Sequence, residues 1–246
     1  MFFFNKNTPL LKNVIPNNYI DIHSHLLPNI DDGSKSLTET QDLIEKLKLI
    51  GFSKLITTPH IIEDVWKNTP QIITNKYQET VQFLEKNNEK IPLKAAAEYM
   101  MDGNFYDLIK KEERLLTLKD NYVLVEMSYL SPPLQLYDML FEMQIVGYRP
   151  VLAHPERYNS YHFNTDEYKK LKKAGCLFQL NLLSTVGYYG PMVSKTADFL
   201  LKNNMFDYVG SDVHHEKHIS FFDKKIIIKN HQNLTSLMQN NTFFDF

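Results

Sequence analysis

The sequence has a single cysteine, Cys176, among 246 residues, so it cannot form an internal disulfide and fits a reducing compartment. Its formal net charge is -2, so no strong electrostatic field attracts the protein to nucleic acid or to anionic membranes. No apolar run reaches the length of a membrane span, and the aromatic patch at residues 2–4 is too short for a signal peptide. These absences favour a cytoplasmic protein without a membrane span or a nucleic-acid partner.

Several catalytic motifs are also missing. The chain contains no Gly-rich nucleotide loop and no Gly-x-Ser-x-Gly nucleophile elbow. Cys176 enters an apolar stretch, and Leu182 stands where a cysteine phosphatase needs its phosphate-binding arginine. Nucleophilic catalysis by serine or cysteine is therefore disfavoured.

What the sequence does contain is a regular alternation of short apolar strands and longer amphipathic segments. A hydrophobic fraction of 43% can build a substantial core, and no linker or low-complexity segment divides the chain, so we expect one domain over residues 1–246. The predicted strands are residues 19–23, 54–58, 93–98, 122–127, 150–153, 177–182 and 208–211. The predicted helices are residues 37–50, 69–88, 134–146, 168–173 and 196–203. This alternation predicts an α/β fold with parallel strands, and seven strands without a linker favour an irregular barrel over an open sheet.

Potential metal ligands follow the predicted strands. His23 and His25 are two positions apart at the end of the first strand, so their side chains point to the same side. The C-terminal ends of parallel barrel strands converge on one face, where active sites lie. The other histidines and acids at strand ends are His60, Glu98, Glu126, His154, Asp212 and His214, and Asp32 lies in the loop after the first strand. Such ligands suit zinc, iron or manganese better than calcium. The histidines outside this set are His162, His215, His218 and His231. We expect them to be solvated, although His215 and His218 could line the rim of the site.

With these residues identified, the chain resembles the PHP (polymerase and histidinol phosphatase) superfamily. It is most similar to the bacterial PHP-type protein-tyrosine phosphatases of capsule and exopolysaccharide loci. The matching segments are DIHSHLLPNIDDG (21–33), TTPH (57–60), AAAEY (95–99), LVEMS (124–128), AHPERY (153–158) and SDVH (211–214). The resemblance implies a distorted, TIM-like (β/α)7 barrel with a trinuclear centre of divalent transition metals, manganese, iron or zinc.

The resemblance also implies a ligand set. It suggests one metal held by His23, His25, Glu98 and Asp212, a second by Glu98 as a bridge with Glu126 and His154, and a third by Asp32, His60 and His214. In the acidic loop, alignment with the family favours Asp32 over Asp31.

Arg157 resembles the phosphate-binding arginine of the family, and its planar donor fork suits two phosphate oxygens. A surface ion pair with Glu156 or a neighbour is the alternative. The sequence differs from the capsule-type relatives at two places on the surface around the site. The run 61–64 is Ile-Ile-Glu-Asp where the relatives tend to have basic residues, and the expected arginine after His214 is absent.

The function implied is hydrolysis of phosphomonoesters by a metal-bridging hydroxide, with phosphotyrosine protein, such as a bacterial tyrosine kinase, as substrate. A small-molecule phosphatase such as histidinol-phosphate phosphatase is the main alternative. A non-catalytic phosphoprotein-binding or metal-sensing module is a second alternative, and the lack of a basic stripe argues against a nuclease-like phosphodiesterase. The aromatic ends, residues 2–4 and 243–246, could pack on the barrel or against another subunit. The sequence therefore leaves both a monomer and an oligomer as alternatives.

Overall fold

The computed structural model describes residues 8–246, and the aromatic patch at residues 2–4 lies outside the described residues. Residues 8–246 contain nine strands and eight α-helices, which alternate along much of the chain. The strands are β1 (Tyr19–Asp21), β2 (Phe52–Thr57), β3 (His60–Ile61), β4 (Leu93–Ala95), β5 (Glu98–Met100), β6 (Tyr122–Glu126), β7 (Arg149–Ala153), β8 (Leu177–Asn181) and β9 (Tyr208–Gly210). The helices are α1 (Leu37–Ile50), α2 (Pro70–Lys86), α3 (Gly103–Lys110), α4 (Leu136–Ile145), α5 (Asp166–Lys173), α6 (Pro191–Lys202), α7 (Glu216–Ser220) and α8 (Leu234–Gln239). None of these helices is long and apolar enough to cross a membrane.

Helix α1 shows how local sequence produces these elements. The side chain of Ser36 accepts a hydrogen bond from the backbone N–H of Glu39, which caps the first turn. Leu43 and Leu47 are buried on one face, as the apolar spacing predicts. The helix ends at Gly51, whose φ of 118° lies in the left-handed region that favours glycine.

The strands form two parallel sheets. One has the order β1-β2-β4 and the other β3-β5-β6-β7-β8-β9, and every pairing is parallel. The predicted α/β class with parallel strands is therefore confirmed. The closed barrel is not observed as one continuous sheet, because the strand pairing is interrupted.

One interruption lies within the predicted strand 93–98, and the other follows β2, beyond most of the predicted strand 54–58. The predicted strand at residues 93–98 is divided between two short strands, β4 in the first sheet and β5 in the second. Likewise, β2 belongs to the first sheet, and β3, which follows it along the chain, belongs to the second. Hydrogen bonds continue through these interruptions: the N–H of Ala96 donates to Thr57 O at 2.8 Å, and that of Glu98 donates to Pro59 O at 3.1 Å. The chain thus passes from one sheet to the other with its backbone groups still paired.

The first and last strands also meet. The N–H of Asp212 donates to His23 O at 2.7 Å, and the N–H of His25 donates to Val213 O at 2.8 Å. At the opposite end of these strands, the amide of Asn241 donates to Ile20 O and Val209 O. These bonds bring the segments that follow β1 and β9 side by side.

The C-terminal aromatic residues pack on the sheet. Phe244 is fully buried, and its ring lies 4.7 Å from that of Tyr208 and 5.9 Å from that of Tyr122. Tyr122 and Tyr208 begin their strands, so this cluster covers the N-terminal edge of the sheet. The C-terminal edge carries the candidate site.

Candidate metal centre

All nine predicted ligands come together at the C-terminal edge of the strands. They form four overlapping groups in which the potential ligand atoms lie within 4.8 Å of one another. The groups are His25–Asp32–His60–His214, His23–His154–Asp212, His23–His25–Glu98 and His60–Glu98–Glu126. The strand-end pattern therefore identified residues that are neighbours in space, although they come from six separate parts of the chain.

Glu98 lies at the centre of the cluster and is fully buried. Its Oε2 is 3.2 Å from Nε2 of His23 and 3.1 Å from Nδ1 of His60. Its Oε1 is 3.1 Å from Nε2 of His154. Both carboxylate oxygens thus face imidazole nitrogens from different strands, which is the arrangement that a bridging ligand requires.

Asp212 and Glu126 extend the cluster on either side. Oδ1 of Asp212 is 3.3 Å from Nε2 of His23 and 3.4 Å from Nε2 of His25. Oε1 of Glu126 is 2.8 Å from Nδ1 of His60. Together with Glu98, these carboxylates place three buried acids in one small volume.

A more exposed corner contains Asp32. Its Oδ1 is 3.5 Å from Nε2 of both His60 and His214. The rings of His25 and His214 stack here at 3.9 Å. This corner opens towards solvent, since the side chain of Asp32 is 55% exposed.

Four residues of the cluster have buried polar atoms without a hydrogen-bond partner. These atoms are Nδ1 of His60, both carboxylate oxygens of Glu98, Oε1 of Glu126 and Nδ1 of His154. Several of them lie within 3.1 Å of one another, but their geometry does not form hydrogen bonds. Buried polar atoms are nearly always paired in native proteins, so unpaired atoms that converge require another partner. Imidazole nitrogens and carboxylate oxygens are suitable ligands for divalent transition metals. The residues therefore fit a metal centre.

The electrostatics of the cluster also favour cations. Burial raises the pKa of the Asp212 carboxyl, but the charges of His23 and His214 outweigh burial and hold this pKa well below its usual range. Burial lowers the pKa of His60, but the Glu126 and Glu98 carboxylates together outweigh burial and keep this pKa well above the usual histidine value. The Asp212 carboxylate is therefore ionised and attracts positive charge, either protons on imidazole or metal ions.

Two positions of the cluster have strained backbones. His154 has a φ of 35° and Asp212 a φ of 52°, in the left-handed region that non-glycine residues rarely adopt. Such strain persists where the surrounding structure imposes it, commonly at functional sites. Here it turns both side chains into the cluster immediately after β7 and β9.

The sequence analysis missed the residues that orient the ligands. Oε1 of Gln179 lies 2.8 Å from Nδ1 of His23, and the amide of Asn181 donates to Oδ2 of Asp212 at 2.7 Å. Both residues are on β8, two positions apart, with fully buried side chains. The period-two spacing that identified His23 and His25 also applies to this amide pair, but only histidines and acids were considered.

Arg157 lies beside the cluster. Its Nη1 donates to Oδ2 of Asp212 at 2.8 Å. Its guanidinium carbon lies 4.6 Å from the ring centroid of Tyr129 and 4.1 Å from that of Tyr189, so the cation is held between two aromatic rings. The expected alternative is a surface ion pair of Arg157 with Glu156 or a neighbour. A pair with Glu156 is not among the ion pairs found in residues 8–246, and the observed partner is the buried Asp212. Glu156 is instead fully buried and accepts hydrogen bonds from Ser184 and Asn181.

Two further residues can be compared with the expectations for their burial, His218 and Cys176. His218 is buried rather than solvated, and its Nδ1 lies 3.1 Å from Asp212 O. Cys176 is buried, as the apolar strand predicts, and burial raises the pKa of its thiol to about 12.

The cluster opens into a cavity of about 240 Å³. Arg157 lines this cavity together with Asp32, Glu126 and His154. A group bound there touches the guanidinium on one side and the carboxylate–imidazole cluster on the other. The arrangement suits an anion with several oxygens, since the arginine and bound cations can share its charge.

Comparisons with known proteins agree with this geometry. The chain is 28% identical to the tyrosine-protein phosphatase YwqE of Bacillus subtilis over 210 residues, which cover 85% of this chain and 82% of YwqE. It is 26% identical to the tyrosine-protein phosphatase CpsB of Streptococcus pneumoniae over 201 residues, which cover 79% of this chain and 82% of CpsB.

Solved structures give a matching result. A structure from a study of B. subtilis YwqE and S. pneumoniae CpsB, described as unique metal-dependent tyrosine phosphatases, superposes with a TM-score of 0.76 at 26% identity and covers 89% of this chain and 86% of its own. A histidinol phosphate phosphatase from Lactococcus lactis, with a TM-score of 0.53 at 14% identity over 94% of this chain and 95% of its own, shares the fold. The profile of the family described as capsular polysaccharide synthesis, CpsB/CapC, matches residues 19–221. The chain therefore belongs to the CpsB/CapC family.

Proposed function

We propose that this protein is a metal-dependent phosphomonoester hydrolase that acts on phosphotyrosine in proteins. The observation that carries the proposal is the convergence of nine imidazole and carboxylate ligands beside Arg157 in one cavity. The tyrosine phosphatases YwqE and CpsB, to which the chain is similar over most of its length, supply the substrate class. A bacterial tyrosine kinase is the protein substrate that we favour.

The proposed centre holds three divalent metals, manganese, iron or zinc. We assign His23, His25, Glu98 and Asp212 to the first metal, Glu98, Glu126 and His154 to the second, and Asp32, His60 and His214 to the third. The unpaired buried oxygens of Glu98 support its role as the bridge. Bound divalent metals lower the pKa of water towards neutrality and neutralise phosphate oxygens.

Arg157 binds the phosphate in this proposal. Asp212 and the two tyrosine rings hold its guanidinium in place, so the donor fork is already oriented when substrate arrives. The fork donates to two non-bridging oxygens and stabilises the charge that they carry in the transition state. Asn181 supports this geometry, because it donates to the same Asp212 oxygen as Arg157 does.

The leaving group is consistent with phosphotyrosine. A phenolate leaves more easily than an alkoxide, because the pKa of tyrosine is about 10 and that of an aliphatic alcohol is higher. Phosphotyrosine therefore demands less from a general acid than phosphoserine does.

We also infer that the two sheets form a distorted seven-unit barrel within one domain over residues 1–246. The bonds from Asp212 to His23 and from His25 to Val213 support closure between the first and last strands. Cytoplasmic location stays a prediction.

The experiment is metal analysis combined with a substrate panel. The metal-loaded protein is assayed with a phosphotyrosine peptide, a phosphoserine peptide, histidinol phosphate and a phosphodiester. We expect the phosphotyrosine peptide to have the highest kcat/KM, and His154→Ala to abolish turnover in a folded protein. A preference for histidinol phosphate favours the small-molecule alternative, whereas no turnover of any monoester points to a binding module.

A further inference from the structure

Part of the cavity lining, which we treat as one wall, is apolar, in contrast to the charged residues that also line the cavity. Ile62, Trp66 and Met100 supply this apolar part of the lining, and Tyr129 also lines the cavity. Each of these side chains is only half-buried, so the wall presents apolar surface to whatever enters the cavity. We call Ile62, Trp66 and Met100 the apolar wall.

We propose that the apolar wall binds the aromatic ring of an aryl phosphate and that Trp66 determines preference for aryl over alkyl phosphomonoesters. This inference rests on the proposed function, since it assumes a phosphate held by Arg157 and the metal cluster. A ring attached to that phosphate buries apolar surface against the wall and gains ring–ring contact with the indole. A short alkyl group leaves most of the wall in water.

The wall is joined directly to the ligand cluster. Ile62 follows two residues after His60, and a tight turn over residues 63–65 returns the chain to Trp66. Two backbone hydrogen bonds close this turn: the N–H of Ile62 donates to Trp66 O at 3.0 Å, and the N–H of Trp66 donates to Ile62 O at 2.9 Å. These bonds tie the backbone of Trp66 to that of Ile62, two residues beyond His60.

The turn is also anchored from outside. The side-chain amide of Asn68 donates to Ile30 O and to His60 O, each at 2.8 Å. The N–H of Glu63 donates to Oδ2 of Asp102 at 3.1 Å, which ties the turn to the start of α3. Because the backbone is held at these points, the segment that carries Ile62 and Trp66 is already ordered without substrate, which lowers the entropy cost of binding.

The kinetic test compares phenyl phosphate with ethyl phosphate on metal-loaded protein. Trp66→Ala is expected to lower kcat/KM for phenyl phosphate about tenfold, mainly through KM, a loss equivalent to about 1.4 kcal/mol. For ethyl phosphate we expect a change of less than about twofold, because the substrate has no ring to bury. Trp66→Phe keeps a ring and should stay within about threefold of wild type.

The matched control is Val65→Ala, in the same turn. The Val65 side chain is 63% exposed and is not part of the cavity lining, so this variant should keep the ratio of the two kcat/KM values. An unchanged ratio in Trp66→Ala, whether both substrates lose equally or neither does, overturns the proposal.

Ligand binding gives a second readout that needs no variant and no turnover. Trp66 is the only tryptophan of the chain, so intrinsic fluorescence reports directly on the wall. We expect phenylphosphonate to alter the emission and to bind at least about tenfold more tightly than methylphosphonate. Equal affinities overturn the proposal. If the protein hydrolyses no phosphomonoester, the proposed function fails, whereas the two phosphonates still test the wall.

Discussion

Asp31 contacts the Nδ1 nitrogen of the His25 ring. Oδ2 of Asp31 lies 2.8 Å from this nitrogen, and both side chains are fully buried. The same carboxylate accepts hydrogen bonds from the backbone N–H groups of Gly33 and His60. Asp32, the next residue, faces His60 and His214 instead. The two acids therefore have different positions, and the geometry supports Asp32 as the ligand and Asp31 as the residue that orients a ligand.

Asp31→Asn should weaken metal binding about 10–100-fold without removing a ligand, because the carboxylate that fixes the His25 ring is lost. Competition with a chelator of known affinity measures this change. Asp42→Asn, at an exposed position of α1, is the control and should bind metal as wild type does. Wild-type affinity in Asp31→Asn contradicts this role.

Arg157→Lys should lower kcat/KM for a phosphotyrosine peptide about 10²-fold and leave metal content unchanged. Lysine keeps the charge but loses the planar fork and the stacking between two tyrosine rings. Steady-state kinetics with metal analysis of the same sample separates the two effects. Arg149→Lys is the control, since Arg149 starts β7 at the opposite edge and donates to the Tyr122 hydroxyl at 3.0 Å. Equal losses in both variants count against a phosphate-binding role.

Removal of metal should abolish turnover and lower Tm by about 5–10 °C, because bound metal stabilises the folded state and the buried carboxylates repel one another without it. Thermal melts before and after chelation, with metal loss verified, measure the shift, and added divalent metal should restore both properties. Chelator presaturated with metal is the control. Full turnover by verified metal-free protein excludes the proposed chemistry.

Alkylating reagents should not inactivate the enzyme. The only thiol, Cys176, is buried, and its pKa of about 12 keeps it protonated at pH 8. Cys176→Ser should retain most of the activity when assayed beside wild type. Rapid inactivation by iodoacetamide that the serine variant resists would indicate a thiol mechanism.

Much of the centre could be predicted because most of its candidate ligands lie at or just after the ends of predicted strands. A buried strand is recognisable from a few apolar residues. The position of the next residue at the end of that strand can therefore be predicted without knowledge of the rest of the chain. This reasoning identified Glu98 after Ala95–Ala97 and His154 after Val151–Ala153, and the structure brings both into the cluster. Helix α1 was predicted with its observed bounds because its cap, apolar spacing and terminal glycine are all local.

Other features depend on contacts between distant segments. Helix α6 begins at Pro191 rather than Thr196, and α3, α7 and α8 were not predicted; each has at most eight residues, and packing contributes more than sequence periodicity to such short helices. The split of residues 93–98 between two sheets has no local signal. It follows from which neighbouring strand supplies the hydrogen bonds at each residue.

The sequence by itself determined the ligand types, their order at successive strand ends and the parallel α/β class, since these follow from short-range alternation and side-chain chemistry. Only the tertiary structure decided that Glu98 is central, that Asp31 and Asp32 differ, and that Gln179 and Asn181 orient His23 and Asp212. The physical reason is distance along the chain. His23 and Asp212 are 189 positions apart, and their 3.3 Å contact exists only when the first and last strands meet.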